Sequence, residues 1–179
     1  SSDLGDVFLD RADLDDPWDD LVVDLQKHDL RLCNYEAPIS DRGTPMRDRV
    51  VWLRSPSTVL PVLHSSWDAM SLAQNHMMDF GEEAARDTVA LCSSHAIPVT
   101  GVGENSAAAL QPIRLERPDL SLSVFAVACA FPRSTSATET RWGVATVDVR
   151  ETMPLRSEEL EHPGAPVTPQ TPRVAEDLA

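Results

Sequence analysis

Three short segments carry the side chains best suited to chemistry. They are Gly5-Asp6, Asn34-Tyr35-Glu36, and Gln74–Gly81, which contains Asn75, His76 and Asp79. Carboxylate, amide and imidazole groups together suit a divalent first-row metal ion. A carboxylate can bridge two such ions, and an ion pair can activate water for attack on phosphorus or a carbonyl carbon. The segments therefore suggest metal-assisted hydrolysis, provided that the fold brings them together.

The elements around these segments predict that they meet. The first segment borders a strand end at Val7–Leu9, the second follows a predicted strand at Leu30–Cys33, and the third follows one at Ala69–Leu72. Loops at the carboxyl ends of parallel strands converge on one edge of the sheet, where ligands bind. We therefore expect Asp6, Glu36, Asn75 and His76 to cluster at that edge.

Strands and helices alternate in the pattern up to about residue 130, which indicates an α/β sandwich or a doubly wound sheet. Apolar spacing predicts helices at Pro17–His28, Pro56–His64, Glu82–His95 and Asn105–Leu110. Further strands are predicted at Val50–Leu53, Ile97–Val102, Ile113–Leu115 and Leu120–Ala130, the last two flanking a turn at Pro118-Asp119.

Each motif taken alone has an ordinary structural explanation. Gly-Asp is more often a turn, Asn-x-Glu after a strand more often closes a loop or caps a helix, and a single loop histidine more often lies at the surface. The residues alone thus leave a structural role for the three loops open.

Composition narrows the classes of partner. The formal net charge of −14 repels nucleic acid, and it repels a polyanion unless bound cations bridge the two. Such a charge also serves solubility. The cysteines at positions 33, 92 and 129 are far apart and lie in apolar stretches, so we expect buried free thiols, not a disulfide framework or zinc knuckle.

The chain divides in composition near residue 150. We predict one domain over 1–150 and a proline-rich connector or tail over 151–179, extended and with few core contacts. No apolar run is long enough for a transmembrane helix, and no signal peptide is evident. The sequence as written predicts a cytoplasmic location, or association with the cell envelope if an N-terminal segment has been removed.

Four segments in order resemble the CapA family of bacterial capsule and poly-γ-glutamate synthesis proteins, within the calcineurin-like metallophosphatase superfamily. Gly5-Asp6-Val7 is similar to its opening GDV motif, and Cys33–Gly43 resembles its GNLE-x-P…DRG segment. Trp67–Gly81 resembles the FDVxSLANNHxxDYG signature, and Gly101–Asn105 the following VGAGxN turn. The resemblance covers about residues 4–149.

This resemblance implies a calcineurin-like α/β sandwich with one or two divalent ions (Mn, Zn, Fe or Mg) at one edge. It implies that Asp6 binds the first ion, Glu36 bridges the two and Asn75 binds the second. His76 would face the substrate as a general acid or as a stabiliser of developing negative charge. Asn34 and Asp79 would orient these groups through hydrogen bonds. The implied substrate is an anionic polymer, a phosphoester or an amide.

Two departures qualify the expected activity. Gln74 stands where the family usually has Asn, and the family's later HWG-type and GHxH-type loops, which supply further metal ligands, do not occur in the sequence. We therefore expect a fold truncated before its C-terminal half, with weak metal binding and little turnover unless a second polypeptide supplies that half. A non-catalytic polymer-binding or assembly role and an inactive fragment remain the alternatives.

Overall fold

A computed structural model describes residues 6–10, 17–18, 21–47, 49–129 and 132–149, apart from the Val22 side chain. The chain forms two compact units, Ser1–Thr146 and Val147–Ala179. Only residues 147–149 of the second unit are described, so the predicted extended tail over 151–179 lies outside the described residues. In the described part of the chain, no helix is long and apolar enough to span a membrane.

The centre of the first unit is a parallel sheet of four short strands. These are β1 (Asp6–Val7), β2 (Leu32–Tyr35), β3 (Ala69–Ser71) and β4 (Val99–Thr100). They lie in the order β1-β2-β3-β4, and each neighbouring pair is parallel. The structure is therefore a mixed α/β fold with a parallel sheet, as the alternation of predicted elements indicated.

Helical segments connect successive strands, as parallel pairing requires. They are α1 (Leu21–Leu25), α2 (Leu60–Ser66), which follows a 3₁₀ turn at Ser57–Val59, and α3 (Gly81–Ser94). Helix α3 buries Ala84, Ala85, Thr88 and Cys92, whose spacing places them on one helical face. Ala96, with φ of 55°, ends the turn that follows α3.

The two faces of the sheet differ in burial because side chains alternate along each strand. Val7, Cys33, Tyr35 and Met70 are buried in the hydrophobic core. In β2 the intervening residues, Leu32 and Asn34, are exposed. One sheet face therefore packs on the core, and the other presents polar and apolar side chains to a cavity.

The remainder of the unit forms two small antiparallel pairs. Strand β5 (Val102–Gly103) pairs with β8 (Gly143–Val144), and β6 (Ile113–Arg117) forms a hairpin with β7 (Leu120–Val124). Between β5 and β6 lies α4 (Ser106–Ala109), capped by the Asn105 side chain, which accepts from the Ala108 N–H at 2.9 Å. A 3₁₀ turn covers Arg133–Thr135.

Several predicted elements differ from the observed ones. The strand predicted at Val50–Leu53 is wrong: these residues pair with no strand, and Val50 is 94% exposed. The strand predicted at Leu30–Cys33 lies two residues later, as β2. The strand predicted at Ile97–Val102 breaks at Gly101, whose φ of +97° interrupts the ladder.

The cysteine prediction is confirmed at two positions and wrong at the third. Cys33 and Cys92 are buried free thiols, whereas Cys129 is free and exposed. Cys129 lies beyond the end of β7 in a segment where exposed and buried residues alternate, so the apolar neighbours Val127 and Ala128 did not imply burial. Burial raises the pKa of the Cys92 thiol to about 12 and raises that of Cys33 further.

Candidate metal and catalytic site

Three contacts tie the predicted loops together at one edge of the sheet. The backbone N–H of Glu36 donates to the Val7 carbonyl at 3.0 Å, joining the first and second loops. The Gln74 amide donates to Asp6 Oδ1 at 3.1 Å, joining the first and third. His76 Nε2 lies 4.0 Å from Glu36 Oε1, joining the second and third. The three loops are therefore linked pairwise, although Asp6 lies within β1 and not after it, and a single cluster of all four side chains stays a prediction.

Asp6 and Asn75 border a cavity of about 740 Å³ over the open face of the sheet. Asn34 lines the same cavity, and its Cα pairs in register with those of Asp6 and Ser71, so these three side chains form a row across β1, β2 and β3. The sequence predicts that Asn34 follows its strand, whereas it lies within β2. Asn34 is exposed beside Asp6. Its expected role, which is to orient the metal-binding groups through hydrogen bonds, stays a prediction.

His76 is held by a buried carboxylate. Its Nδ1 lies 2.6 Å from Asp79 Oδ2, and Asp79 is fully buried while the His76 side chain is 17% exposed. Because a carboxylate accepts hydrogen bonds, the Nδ1 of a neutral imidazole carries the proton. Nε2 is then the unprotonated nitrogen, which faces Glu36 and can accept a proton. The predicted orienting partner of His76, Asp79, is thus in contact with it.

Asp79 has two further partners that stabilise its buried charge. The Leu53 N–H donates to Asp79 Oδ2 at 2.9 Å, and Arg49 Nε lies 3.0 Å from Asp79 Oδ1. Nε and Oδ1 are not aligned as a hydrogen bond, so this contact is an ion pair. A buried carboxylate without such partners would be strongly unfavourable.

Residues 43–47 and 49–54, which we call the strap, pack against the third loop. The Thr44 N–H donates to the Phe80 carbonyl at 3.1 Å, and the Met46 N–H donates to the Asp79 carbonyl at 2.9 Å. Gly43 has a φ of +88°, and a Cβ there would lie 2.2 Å from the Phe80 carbonyl oxygen. The strap therefore needs glycine at this position to approach the loop so closely.

The donor set fits a divalent ion in chemistry but is small. Asp6 and Glu36 offer carboxylate oxygens, and Asn75 offers an amide oxygen, the ligand types that Mn²⁺ and Mg²⁺ prefer. Among the described residues, however, no group of three or more His, Cys, Asp or Glu side chains is placed to hold a metal ion. Cys33 also borders the cavity, and burial raises the pKa of its thiol well above the usual range.

Sequence reasoning missed three contributors to this site: Arg49, Gln74 and the backbone of Leu53. Gln74 was noted only as a departure from the family pattern, yet its longer side chain contacts Asp6. Arg49 and Leu53 lie in the strap, where no periodic pattern marks them. The cluster of arginines at 42, 47, 49 and 54 in an otherwise acidic chain was the one signal that could have drawn attention to this segment.

Comparison with known proteins supports the resemblance. No curated protein matches the chain closely. The sequence model of a bacterial capsule synthesis protein family, PGA_cap, matches residues 3–177. This match is longer than the stretch of about residues 4–149 on which the motifs lie, and it includes most of the predicted connector. Because it covers nearly the whole chain, the protein belongs to the bacterial capsule synthesis protein family PGA_cap.

Proposed function

We propose that the three loops form a divalent-metal site for hydrolysis in capsule or poly-γ-glutamate metabolism, within a calcineurin-like metallophosphatase fold. The observation that supports this most is that the three loops contact one another: Gln74 donates to Asp6, and His76 lies 4.0 Å from Glu36. Asp6 and Asn75 also border the same cavity over a parallel sheet. In this proposal Asp6, Glu36 and Asn75 hold the metal. When bound, a divalent ion supplies Lewis acidity for attack by water on phosphorus or a carbonyl carbon.

His76 performs the proton chemistry in this proposal. Asp79 accepts a hydrogen bond from Nδ1, which orients the ring and favours a positive charge on it during proton transfer. Once protonated from solvent, Nε2 donates that proton to the leaving group, or the imidazolium stabilises negative charge on the reacting oxygen. The ring is close to Glu36, so substrate held at the Glu36 side would lie within its reach.

The substrate class follows from family and charge together. A chain with a net charge of −14 repels an anionic polymer or a phosphoester in free solution. Bound cations at Asp6 and Glu36 would offset that repulsion locally. The proposed site therefore couples metal binding to recognition of an anionic substrate.

Metal affinity in the isolated chain should be low. Two carboxylates and one amide leave most coordination positions to water, so we expect dissociation constants weaker than micromolar. Under this proposal the remaining ligands come from outside the described residues or from a second polypeptide. We accordingly expect little or no turnover of a generic phosphoester or amide, even with added Mn²⁺ or Zn²⁺.

The test is calorimetric titration of the chain with Mn²⁺, beside hydrolysis assays. Asp6→Asn and Glu36→Gln should each weaken binding, because each removes a charged ligand while keeping side-chain size. Glu139→Gln, a matched change at an exposed carboxylate, should leave binding unchanged. Any turnover should be lost in His76→Ala.

Equal Mn²⁺ affinity in all three carboxylate variants would contradict the metal site. Tight binding of poly-γ-glutamate without any metal would then favour the alternative, a non-catalytic polymer-binding or assembly role. Micromolar or tighter Mn²⁺ binding with turnover that His76→Ala abolishes would instead show that this chain contains a complete set of ligands.

A further inference from the structure

The guanidinium of Arg49 contacts both ends of the loop that carries His76. Its Nη2 donates to the Asn75 carbonyl oxygen, and its Nε lies 3.0 Å from Asp79 Oδ1. Asn75 immediately precedes His76. Asp79 lies three residues after His76, and its backbone N–H donates to the His76 carbonyl, which closes a turn. With a side chain only 14% exposed, Arg49 is a fixed part of the site and not a solvent-facing cation.

The two oxygens of Asp79 serve different partners. Oδ1 faces Arg49, whereas Oδ2 accepts from the Leu53 N–H and lies 2.6 Å from His76 Nδ1. Arg49 therefore balances the charge of the carboxylate without competing for the oxygen that holds His76. Without Arg49, the buried carboxylate would keep the Leu53 N–H and the imidazole at Oδ2 but would have no cation at Oδ1, and its rotation about χ2 would no longer be restrained on that side.

We propose that Arg49 is a positioning residue for His76. It clamps the 75–79 loop at both ends and orients Asp79, so that the imidazole carries its proton on Nδ1 and presents Nε2 toward Glu36. This inference rests on the proposed role of His76 at the site. It assigns a function to a strap residue that, within the described part of the chain, forms no hydrogen bond or ion pair with His76 itself.

At position 49, arginine is required to contact the Asn75 carbonyl and the Asp79 carboxylate at the same time. Its planar guanidinium reaches a carbonyl and a carboxylate in separate directions, whereas lysine offers one compact ammonium group. Arg49→Lys therefore keeps a cation near Asp79 and loses the second contact at Asn75. Arg47, two residues earlier on the strap and exposed, provides a matched arginine that does not reach the loop.

The experiment reads the imidazole directly, by ¹⁵N-detected NMR of His76 in the full 179-residue chain at a pH where the ring is neutral. The unsubstituted chain should show one tautomer, protonated on Nδ1. Arg49→Met should shift the tautomer ratio toward the Nε2-protonated form by about tenfold, because an Asp79 carboxylate that is free to turn no longer holds a well-aligned, charge-assisted hydrogen bond from Nδ1. Arg49→Lys should give an intermediate ratio, and Arg47→Met the original one.

The outcomes separate this inference from the proposed function. The NMR measurement uses neither metal nor substrate, so failure of metal binding leaves its result intact. His76 signals unchanged in Arg49→Met, or changed equally in Arg47→Met, would overturn the positioning role. If Arg49→Met does not fold, Arg49→Lys decides: an intermediate ratio supports the proposal, and an unchanged ratio overturns it.

Discussion

Removal of the Asp79 carboxylate should destabilise the protein more than any change at an exposed acidic residue. Asp79 is fully buried and contacts Arg49 at 3.0 Å, His76 at 2.6 Å and the Leu53 N–H at 2.9 Å. Asp79→Ala leaves a largely buried guanidinium without its counter-charge and a backbone N–H without its acceptor. Breaking a buried ion pair from one side costs about 3–5 kcal/mol.

That cost is large against the whole stability of a domain, which is about 5–15 kcal/mol. Asp79→Asn should cost less, about 1.5–3 kcal/mol, because the amide oxygen can still accept from the Leu53 N–H while the charge is lost. Urea unfolding followed by circular dichroism measures both values. Asp41→Ala, at an exposed carboxylate, is the control and should stay within about 0.5 kcal/mol of the original chain.

A double variant tests whether the cost comes from the ion pair. In Asp79→Ala combined with Arg49→Met, neither charge is left unpaired, so the total should be less than the sum of the single effects by about 0.5–3 kcal/mol. A loss below about 1 kcal/mol for Asp79→Ala, or strict additivity in the double variant, would refute this reasoning.

Two further predictions follow from the buried thiols. Under native conditions a thiol reagent should modify only Cys129, whereas Cys33 and Cys92 should react only after unfolding. The Cys129→Ser variant should therefore show no reaction under native conditions. Fast labelling of a second thiol would contradict the burial of Cys33 and Cys92. Stability should also fall with rising pH, because burial raises the pKa of Cys92 to about 12 and that of Cys33 further, so the unfolded chain loses these protons first. The protonated thiols stabilise the fold fully below the pKa that a thiol has in the unfolded chain. Between pH 8 and pH 10, the free energy of unfolding measured with urea should fall by about 3 kcal/mol for the two thiols together. A free energy of unfolding that does not change with pH, in the original chain and in Cys92→Ala alike, would contradict the assignment.

The elements with strong local patterns were predictable from sequence. Helix α3 (Gly81–Ser94) lies within one residue of its predicted bounds at each end, and β3 (Ala69–Ser71) ends one residue early. Helix α3 carries apolar residues at helical spacing, and β3 belongs to a short apolar run that is followed by polar loop residues. Contact between the three loops was expected because parallel strands end at the same edge of a sheet. That prediction requires only that the strands and helices be identified correctly, and not that their side-chain contacts be known.

The strap could not be predicted, because its conformation depends on contacts distant in sequence. Val50–Leu53 has the composition of a strand, yet the Leu53 N–H bonds to the Asp79 side chain instead of a neighbouring strand. The shift of β2 has a similar cause. Asn34 looks like the first loop residue after an apolar run, but it is accommodated within β2 because its side chain lies on the exposed face of the sheet.

The most direct test of the proposed metal site is paramagnetic NMR with substoichiometric Mn²⁺, which broadens amide signals near the bound ion. The account predicts selective broadening at Asp6, Glu36, Asn75 and His76, lost in Asp6→Asn and in Glu36→Gln. Broadening spread evenly over the acidic surface, which a net charge of −14 makes a real alternative, would contradict a site at the edge of the parallel sheet.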